Sequence, residues 1–388
     1  MRTRPARTAS SRNPKSVLFV SAGPNIAKPE SGEGTRLHQL SRRLADVWDV
    51  FTLVPHDQRE PKPDWVTKQY TYRQWRFPYL TDLNPYFVRA IHRVLSEEDI
   101  DIVHGSKGTC TVKLVTRAGR ETTPVYAAQN VEADHVRDFV SPDLPAYKRL
   151  LAPKLIPLVE RLTVSCADAV TTVSEKDRER FIHEYDVNPD RIRAIPTGTE
   201  TIDEANLEAP STVRDRYGLG DRFVAVFHGY YSHYPNREAA KLIDERIAPA
   251  TREMDVEFLL VGREPPAVSS PNVTAVGFVE DLYSVLRVAD VAVVPICHGG
   301  GTKTKIYDYV TLGIPMITTE KGIEGIDLEP GTHALVTKDV DDGFVDSIQQ
   351  VLTDREQTRE ISENLRSLAD EWDWERSTAR LTEFYRTL

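Results

Sequence analysis

The chain has 388 residues, more than one ordinary domain holds, so two compact units with separate cores are expected. With 40% hydrophobic and 28% charged residues the composition is globular, which excludes a disordered or collagen-like chain, and no apolar run approaches the roughly 20 residues that span a bilayer. The net charge of -10 is uneven: 30 Lys and Arg stand against 26 Asp and Glu up to Glu200, net +4, and 19 against 33 beyond it, net -14, so an anionic lipid surface would attract the first half and repel the second.

Residues 1–15 are polar and basic without an apolar centre, which reads as a flexible tail and not a signal peptide, and places the protein in the cytoplasm. SVLFVSAG follows as a short apolar strand ending in Gly23, then SGEGTRLHQLSRRLADVW as a helix with Leu37, Leu40, Leu44 and Val47 at helical spacing, then DVFTLVP as a second strand. IDIVHGS, TPVYAAQN and ADAVTTVSE supply three more strands. Between the last two, residues 147–165 read as a helix carrying Leu150, Leu151, Leu155, Leu158 and Leu162 among Lys148, Arg149, Lys154 and Arg161; its leucines suit either a core or an anionic lipid surface. Strands alternating with helices predict a parallel α/β sheet over residues 16–200. The three cysteines, Cys110, Cys166 and Cys297, are far apart and form no metal pattern, so they read as free core residues in a reducing compartment.

Residues 201–220 carry turn and capping residues and read as a linker. A second series, RFVAVFHGYY, VEFLLVG, NVTAVGF, DVAVVPI and PMITT, predicts another α/β unit over residues 221–370, and residues 371–388 form a terminal helix whose Leu381, Phe384 and Tyr385 can pack back on the first domain. Two doubly wound sheets place the loops after their strands across a cleft, where the active site is expected.

The strongest chemical signal is HGGGTKTKIYDYVTLGIPMITT, residues 298–319. Consecutive glycines let backbone N–H groups approach phosphate oxygens, a helix start adds favourable potential, and Lys303 and Lys305 add positive charge. The order of this loop, KIYDYVTLGIPMITT and GIEGIDL resembles the donor-binding core of the family-four, group 1 retaining glycosyltransferases. SGEGTR, QNVE, ADAVTTVSE, AIPTGTE, FHGYYSHYPN and GFVEDL fall in the same order across nearly the whole chain.

That resemblance implies a GT-B fold: two Rossmann-like domains facing a cleft, the second holding a nucleotide-diphospho-sugar. It implies that Asp308 takes the place of a glutamate that binds the nucleotide ribose, and that Gly277 and Phe278 border the base. Gly299, Gly300, Gly301, Lys303 and Lys305 would meet the sugar and diphosphate, with His228 and Gly229 facing the phosphates. In the first domain Gly32, Gly34 and Arg36 would lie on the phosphate or acceptor side, and His104 and Glu132 are catalytic candidates. The family's first glutamate falls on Gly300, its usual histidine on Ser106, and the basic pair after the second domain's first strand is absent, which leaves Arg237 as a further cation.

The implied reaction is glycosyl transfer with retention to an acceptor hydroxyl, aided by the departing phosphate, with no metal or other cofactor. Asp341 and Asp342 read as a solvated turn. The expected acceptor is a glycan or lipid-linked saccharide, reached by peripheral contact with an anionic inner membrane face, in glycoprotein glycan or surface polysaccharide assembly. A non-catalytic sugar-nucleotide-binding partner is the alternative. An NAD-dependent oxidoreductase fits less well, since no G-x-G-x-x-G follows a strand, and the acidic second half argues against nucleic acid.

Overall fold

The computed structural model describes residues 16–21, 26–27, 32–56, 61–75, 78–116, 121–133, 136 and 145–388. The tail 1–15 and Gly23 lie outside the described residues. The first domain runs β1 (Ser16–Val20), α1 (Gly32–Leu44), β2 (Asp49–Pro55), β3 (Lys68–Tyr72), α2 (Pro85–Glu97), β4 (Ile102–Gly105), α3 (Thr109–Thr116), β5 (Thr123–Ala127), α4 (Ala146–Cys166), β6 (Ala169–Thr172), α5 (Glu175–Tyr185) and β7 (Ile192–Ala194). Its strands are all parallel in the order β3-β2-β1-β4-β5-β6-β7. Central strands such as β1 read as unbroken apolar runs because helices cover both faces and no position meets water. β3 and β7 were not legible that way: KQYTY is an edge strand with only Tyr70 and Tyr72 buried, and IRA has three residues.

The second domain runs α6 (Pro210–Arg216), β8 (Phe223–His228), α7 (Tyr234–Leu242), β9 (Val256–Val261), β10 (Val273–Gly277), α8 (Leu282–Leu286), β11 (Val291–Val294), α9 (Lys305–Leu312), β12 (Met316–Thr319), β13 (Leu335–Thr337), α10 (Asp342–Thr353) and α11 (Arg355–Glu371). This sheet is also parallel, in the order β10-β9-β8-β11-β12-β13. α12 (Trp374–Arg386) then crosses back: Trp374, Leu381, Phe384 and Tyr385 enter the first domain's core beside Leu37, Leu40 and Trp48 of the α1 region. Thr199 N–H donates to the Trp372 carbonyl at 2.8 Å, which ties the two chain crossings together.

Two expectations are corrected here, and one alternative that the sequence left open is decided. The segment 201–220 is not a free linker, because Pro210–Arg216 is helical and Val213 and Leu219 are fully buried in the second domain's core. Cys110 and Cys166 are not free: α3 packs on α4 and brings their Cα atoms to 4.9 Å in a disulfide, leaving Cys297 as the free thiol. The leucines of α4 are not core. Ile156, Glu160, Thr163 and Val164 form its buried face, while Leu151, Leu155, Leu158 and Leu162 lie roughly opposite by helical rotation and are exposed. Glu160 explains the choice of face, since its carboxylate accepts the Glu132 and Ala133 N–H groups at 2.9 Å each and so anchors α4 to the loop after β5.

Candidate functional site

In an open parallel sheet a ligand crevice forms where the strand order reverses, because the loops on either side lead to opposite faces. In the first sheet that point lies between β1 and β4, and in the second between β8 and β11. Gly32 at the start of α1, Ser106 just past β4, His228 at the end of β8 and the 298–304 segment past β11 stand at these two points. A cavity of about 620 Å³ opens there, within the range of small-molecule sites, lined chiefly by the second domain and by Gly32 and Thr35 of the first. The two domains touch beside it: a β carbon at Gly301 would lie 3.3 Å from the Gln129 carbonyl oxygen.

The floor of the cavity depends on one backbone approach. Gly262, after β9, has φ +128°, and any β carbon there would collide with the Gly229 carbonyl, so the two loops can lie side by side only with glycine. His228 ends β8, its N–H donating to Tyr309 Oη at 3.1 Å and its ring packing edge-on to Tyr309. Its Nε2 lies 3.4 Å from Asp308 Oδ2 and is buried, with no hydrogen bond among the described residues. Asp308, in the first turn of α9, accepts a 2.8 Å hydrogen bond from Tyr283 Oη at Oδ1. The structure thus brings His228, Asp308 and Tyr283 together. Tyr283 had no sequence signal beyond its place in α8.

Both lysines of the glycine-rich loop line the cavity and are buried. Lys305 Nζ donates to Asn236 Oδ1 at 2.7 Å and sits 3.8 Å from the centroid of the Phe227 ring, a cation–π contact. Lys303 Nζ donates to the Gly301 and Gly299 carbonyls at 2.7 and 3.3 Å. Burial pushes the Lys303 ammonium down to about 8, and burial with the neighbouring Lys303 charge pushes Lys305 well below its usual range. Groups so desolvated, held by neutral oxygens and a ring, gain strongly from a polyanionic ligand.

Gly229, Gly299 and Gly300 also line the cavity, and Gly301 lies at the domain contact. Phe278 stands at the mouth, 60% exposed, with the Arg263 guanidinium 4.8 Å over its ring; Gly277 precedes it and accepts the Gly262 N–H through its carbonyl. Arg263 is the cation that sequence reasoning missed. It follows β9 and not β8, whereas Arg237 turns to the Ser232 carbonyl and the Tyr234 ring and does not line the cavity. His298 is a second omission, lining the cavity with its Nδ1 2.7 Å from Glu238 Oε2.

Four first-domain candidates fall elsewhere. Arg36 is buried between the domains, donating to the Ile195 carbonyl and lowered to about 10 by burial; the helical turn that exposes Gly32 and Thr35 to the cavity directs Arg36 inward. His104 lies on the opposite face of β4, against Phe19 and Tyr385 under α12, and burial pushes its imidazole down to about 3. Glu132 borders the loop after β5 without lining the cavity, and it offers its N–H to Glu160. Gly34 is buried within α1. Among the described residues no group of three or more His, Cys, Asp or Glu is placed to hold a metal ion.

The comparisons with known proteins agree with this fold. Residues 31–202 match the model of Glycosyltransferase Family 4, and residues 222–354 that of Glycosyl transferases group 1, between them most of the chain. No curated protein sequence matches. Among solved structures, sucrose-phosphate synthase from Thermosynechococcus elongatus is similar with a TM-score of 0.74 at 18% identity, covering 96% of this chain and 98% of that one. Anabaena HepE in complex with UDP-glucose gives 0.71 at 15%, covering 96% and 100%. WaaG, a glycosyltransferase involved in lipopolysaccharide biosynthesis, gives 0.68 at 15%, covering 95% and 98%. The architecture is that of GT-B glycosyltransferases.

Proposed function

We propose that this chain, which belongs to the family-four, group 1 glycosyltransferases, takes a nucleotide-diphospho-sugar into the second domain's cavity and transfers the sugar, with retention, to an acceptor hydroxyl presented by the first. The chain is a glycosyltransferase; the donor and the stereochemistry are our reading. The observation that carries it is the pair of buried ammonium groups, Lys303 and Lys305, facing a cavity beside backbone turns at Gly299 and Gly301 and held by neutral partners.

In this scheme the diphosphate lies against Lys303 and Lys305, whose charge grows in worth as the glycosidic bond to phosphate breaks and negative charge collects on the leaving oxygen. The departing phosphate takes the acceptor proton on the same face, which gives retention without an enzyme nucleophile. Asp308 binds the ribose hydroxyls, oriented by Tyr283 and His228, and Phe278 with Arg263 forms a platform for the base. The lysines supply the countercharge, so the scheme calls for no metal or other cofactor. That HepE was solved with UDP and with UDP-glucose supports a nucleotide sugar as donor.

Thermal stabilisation by a panel of UDP-, GDP-, ADP- and dTDP-sugars, with and without Asp308→Ala, tests this reading. One nucleotide sugar should raise the melting temperature in the wild type and fail to in the variant. Stabilisation that survives in Asp308→Ala would remove the ribose assignment, and none with any nucleotide sugar would remove the donor.

A lipid-linked saccharide in glycan assembly at an anionic membrane face is the acceptor we favour. Leu150 and Leu158 are 71% and 64% exposed on α4, Leu114 is 65% exposed on α3, and Arg149, Lys154 and Arg161 are exposed on α4. Contiguous leucines facing water beside basic side chains suit an interfacial helix. Among the described residues no helix is long and apolar enough to cross a membrane.

A further inference from the structure

The first turn of α1 holds a carboxylate that the donor site does not use. Glu33 lies in sequence between Gly32 and Thr35, which both line the cavity, and is half-buried. Ser106, just past β4, donates from its Oγ to Glu33 Oε1 at 2.8 Å, so the pair is seated at the reversal point of the first sheet. Oε2 has no hydrogen bond among the described residues and is not sealed from solvent.

We propose that Glu33, seated by Ser106, is the acceptor-binding carboxylate of this transferase, its Oε2 accepting a hydrogen bond from a hydroxyl of a neutral saccharide lodged between α1 and the glycine-rich loop. This rests on the donor reading above. The position fits: Gly32 stands against Thr304, next to Lys303, so an acceptor at Glu33 adjoins the diphosphate end of the cavity. The chemistry fits as well. Burial and the nearby Glu132 push the Glu33 carboxyl up, while Ser106 and Lys107 pull it down without offsetting the burial, so a further hydroxyl donor at Oε2 would stabilise the carboxylate. A phosphate set against the Glu33 carboxylate, with Glu132 near it, would meet like charge where a hydroxyl would not, which disfavours a phosphorylated acceptor at this position.

The test is saturation-transfer NMR on the full chain loaded with UDP, or with whichever nucleotide stabilises it, using methyl glucoside, methyl mannoside, methyl galactoside and N-acetylglucosamine as probes and glucose 6-phosphate as the anionic control. At least one neutral sugar should bind, about tenfold more tightly than glucose 6-phosphate. Glu33→Gln should weaken that sugar about tenfold and narrow the preference over glucose 6-phosphate, with thermal stabilisation by nucleotide unchanged; Ser106→Ala should do the same more weakly. The inference is overturned if no neutral sugar binds, if glucose 6-phosphate binds as well as the neutral sugars, or if Glu33→Gln leaves sugar binding as it was. Loss of all nucleotide stabilisation in the wild type would instead strike the donor reading, so the two failures are separable.

Discussion

Gly32 of the first domain and Thr304 of the second stand against each other across the cleft, so closely that a β carbon on Gly32 would lie 2.6 Å from Thr304 Cγ2. Threonine is stiff at χ1, so the methyl cannot easily swing away, and Gly32→Ala should force the loops apart. A displacement of a few tenths of an ångström at the reacting centre is expected to lower nucleotide-sugar turnover about tenfold, given that about 1 Å costs on the order of a hundredfold. Removing Thr304 Cγ2 leaves its Cβ at 3.5 Å, an ordinary contact, so Gly32→Ala with Thr304→Ala should recover most of the loss. Steady-state release of nucleoside diphosphate measures both; a Gly32→Ala enzyme as active as wild type would show that this contact does not set the closed geometry.

Lys303 makes stability depend on pH in a fixed direction. Its folded-state value is about 8 against an ordinary 10.5, so between those values the unfolded chain binds more protons and stability rises with pH. Below about pH 8 both states are protonated and the burial penalty stands in full, about 3 kcal/mol from the difference. Without donor, Lys303→Met should therefore melt above wild type at pH 7.5, and the gap should shrink as pH approaches 10.5. A diphosphate restores the proton, so nucleotide binding at pH 9 should take up protons, visible as a buffer-dependent calorimetric enthalpy. A gap that widens with pH would contradict the sign.

The two parallel sheets were legible because their central strands, such as Val17–Val20 and Val291–Val294, are buried on both faces and must be apolar throughout. The glycine-rich loop was legible because consecutive glycines, two lysines and a helix start stand together in one short stretch. Arg263 was not, since a lone arginine after a strand becomes a cavity residue only through the pairing of β8 with β9. His104 was misplaced for a related reason: alternate residues along a strand point to opposite faces, and the sequence does not say which face of β4 meets the cleft. The α4 leucines keep helical spacing whether they face a core or water.

His104 sits under α12 with Nδ1 buried and unpartnered among the described residues, and burial keeps its ring neutral at physiological pH. A buried polar group without a partner costs stability, so an apolar ring of similar shape should be tolerated. His104→Phe is expected to keep nucleotide-sugar turnover within about twofold and to melt no lower than wild type. A loss of a hundredfold with the melting temperature intact would return His104 to the catalytic candidates.

The Cys110–Cys166 link closes a separation of 56 residues and pins α3 to α4. In the chain-entropy treatment a loop of that size contributes about 4 kcal/mol by restricting the unfolded chain. The unreduced protein should titrate one thiol, Cys297, under native conditions, and either a phosphine reductant or Cys110→Ser should lower its melting temperature. Three thiols in protein purified without reductant would mean that the pair stays reduced.

On α4 the exposed stripe separates folding from surface binding. Leu151, Leu158 and Leu162 are exposed and take no part in the core, so changing all three to serine should leave stability within about 1.5 kcal/mol, as surface substitutions do at about 0.5 each. Each buried leucine that entered a bilayer interface would contribute on the order of 1.5 kcal/mol or more, so the same change should reduce flotation on anionic vesicles by at least a hundredfold in partition. Arg149, Lys154 and Arg161 add a salt-dependent share, and their conversion to glutamine should weaken binding at low salt more than at high salt. Wild-type protein that fails to float on anionic vesicles at moderate salt would end the membrane reading and leave the stripe to a protein partner, while flotation that the triple variant retains would place the membrane contact on another surface.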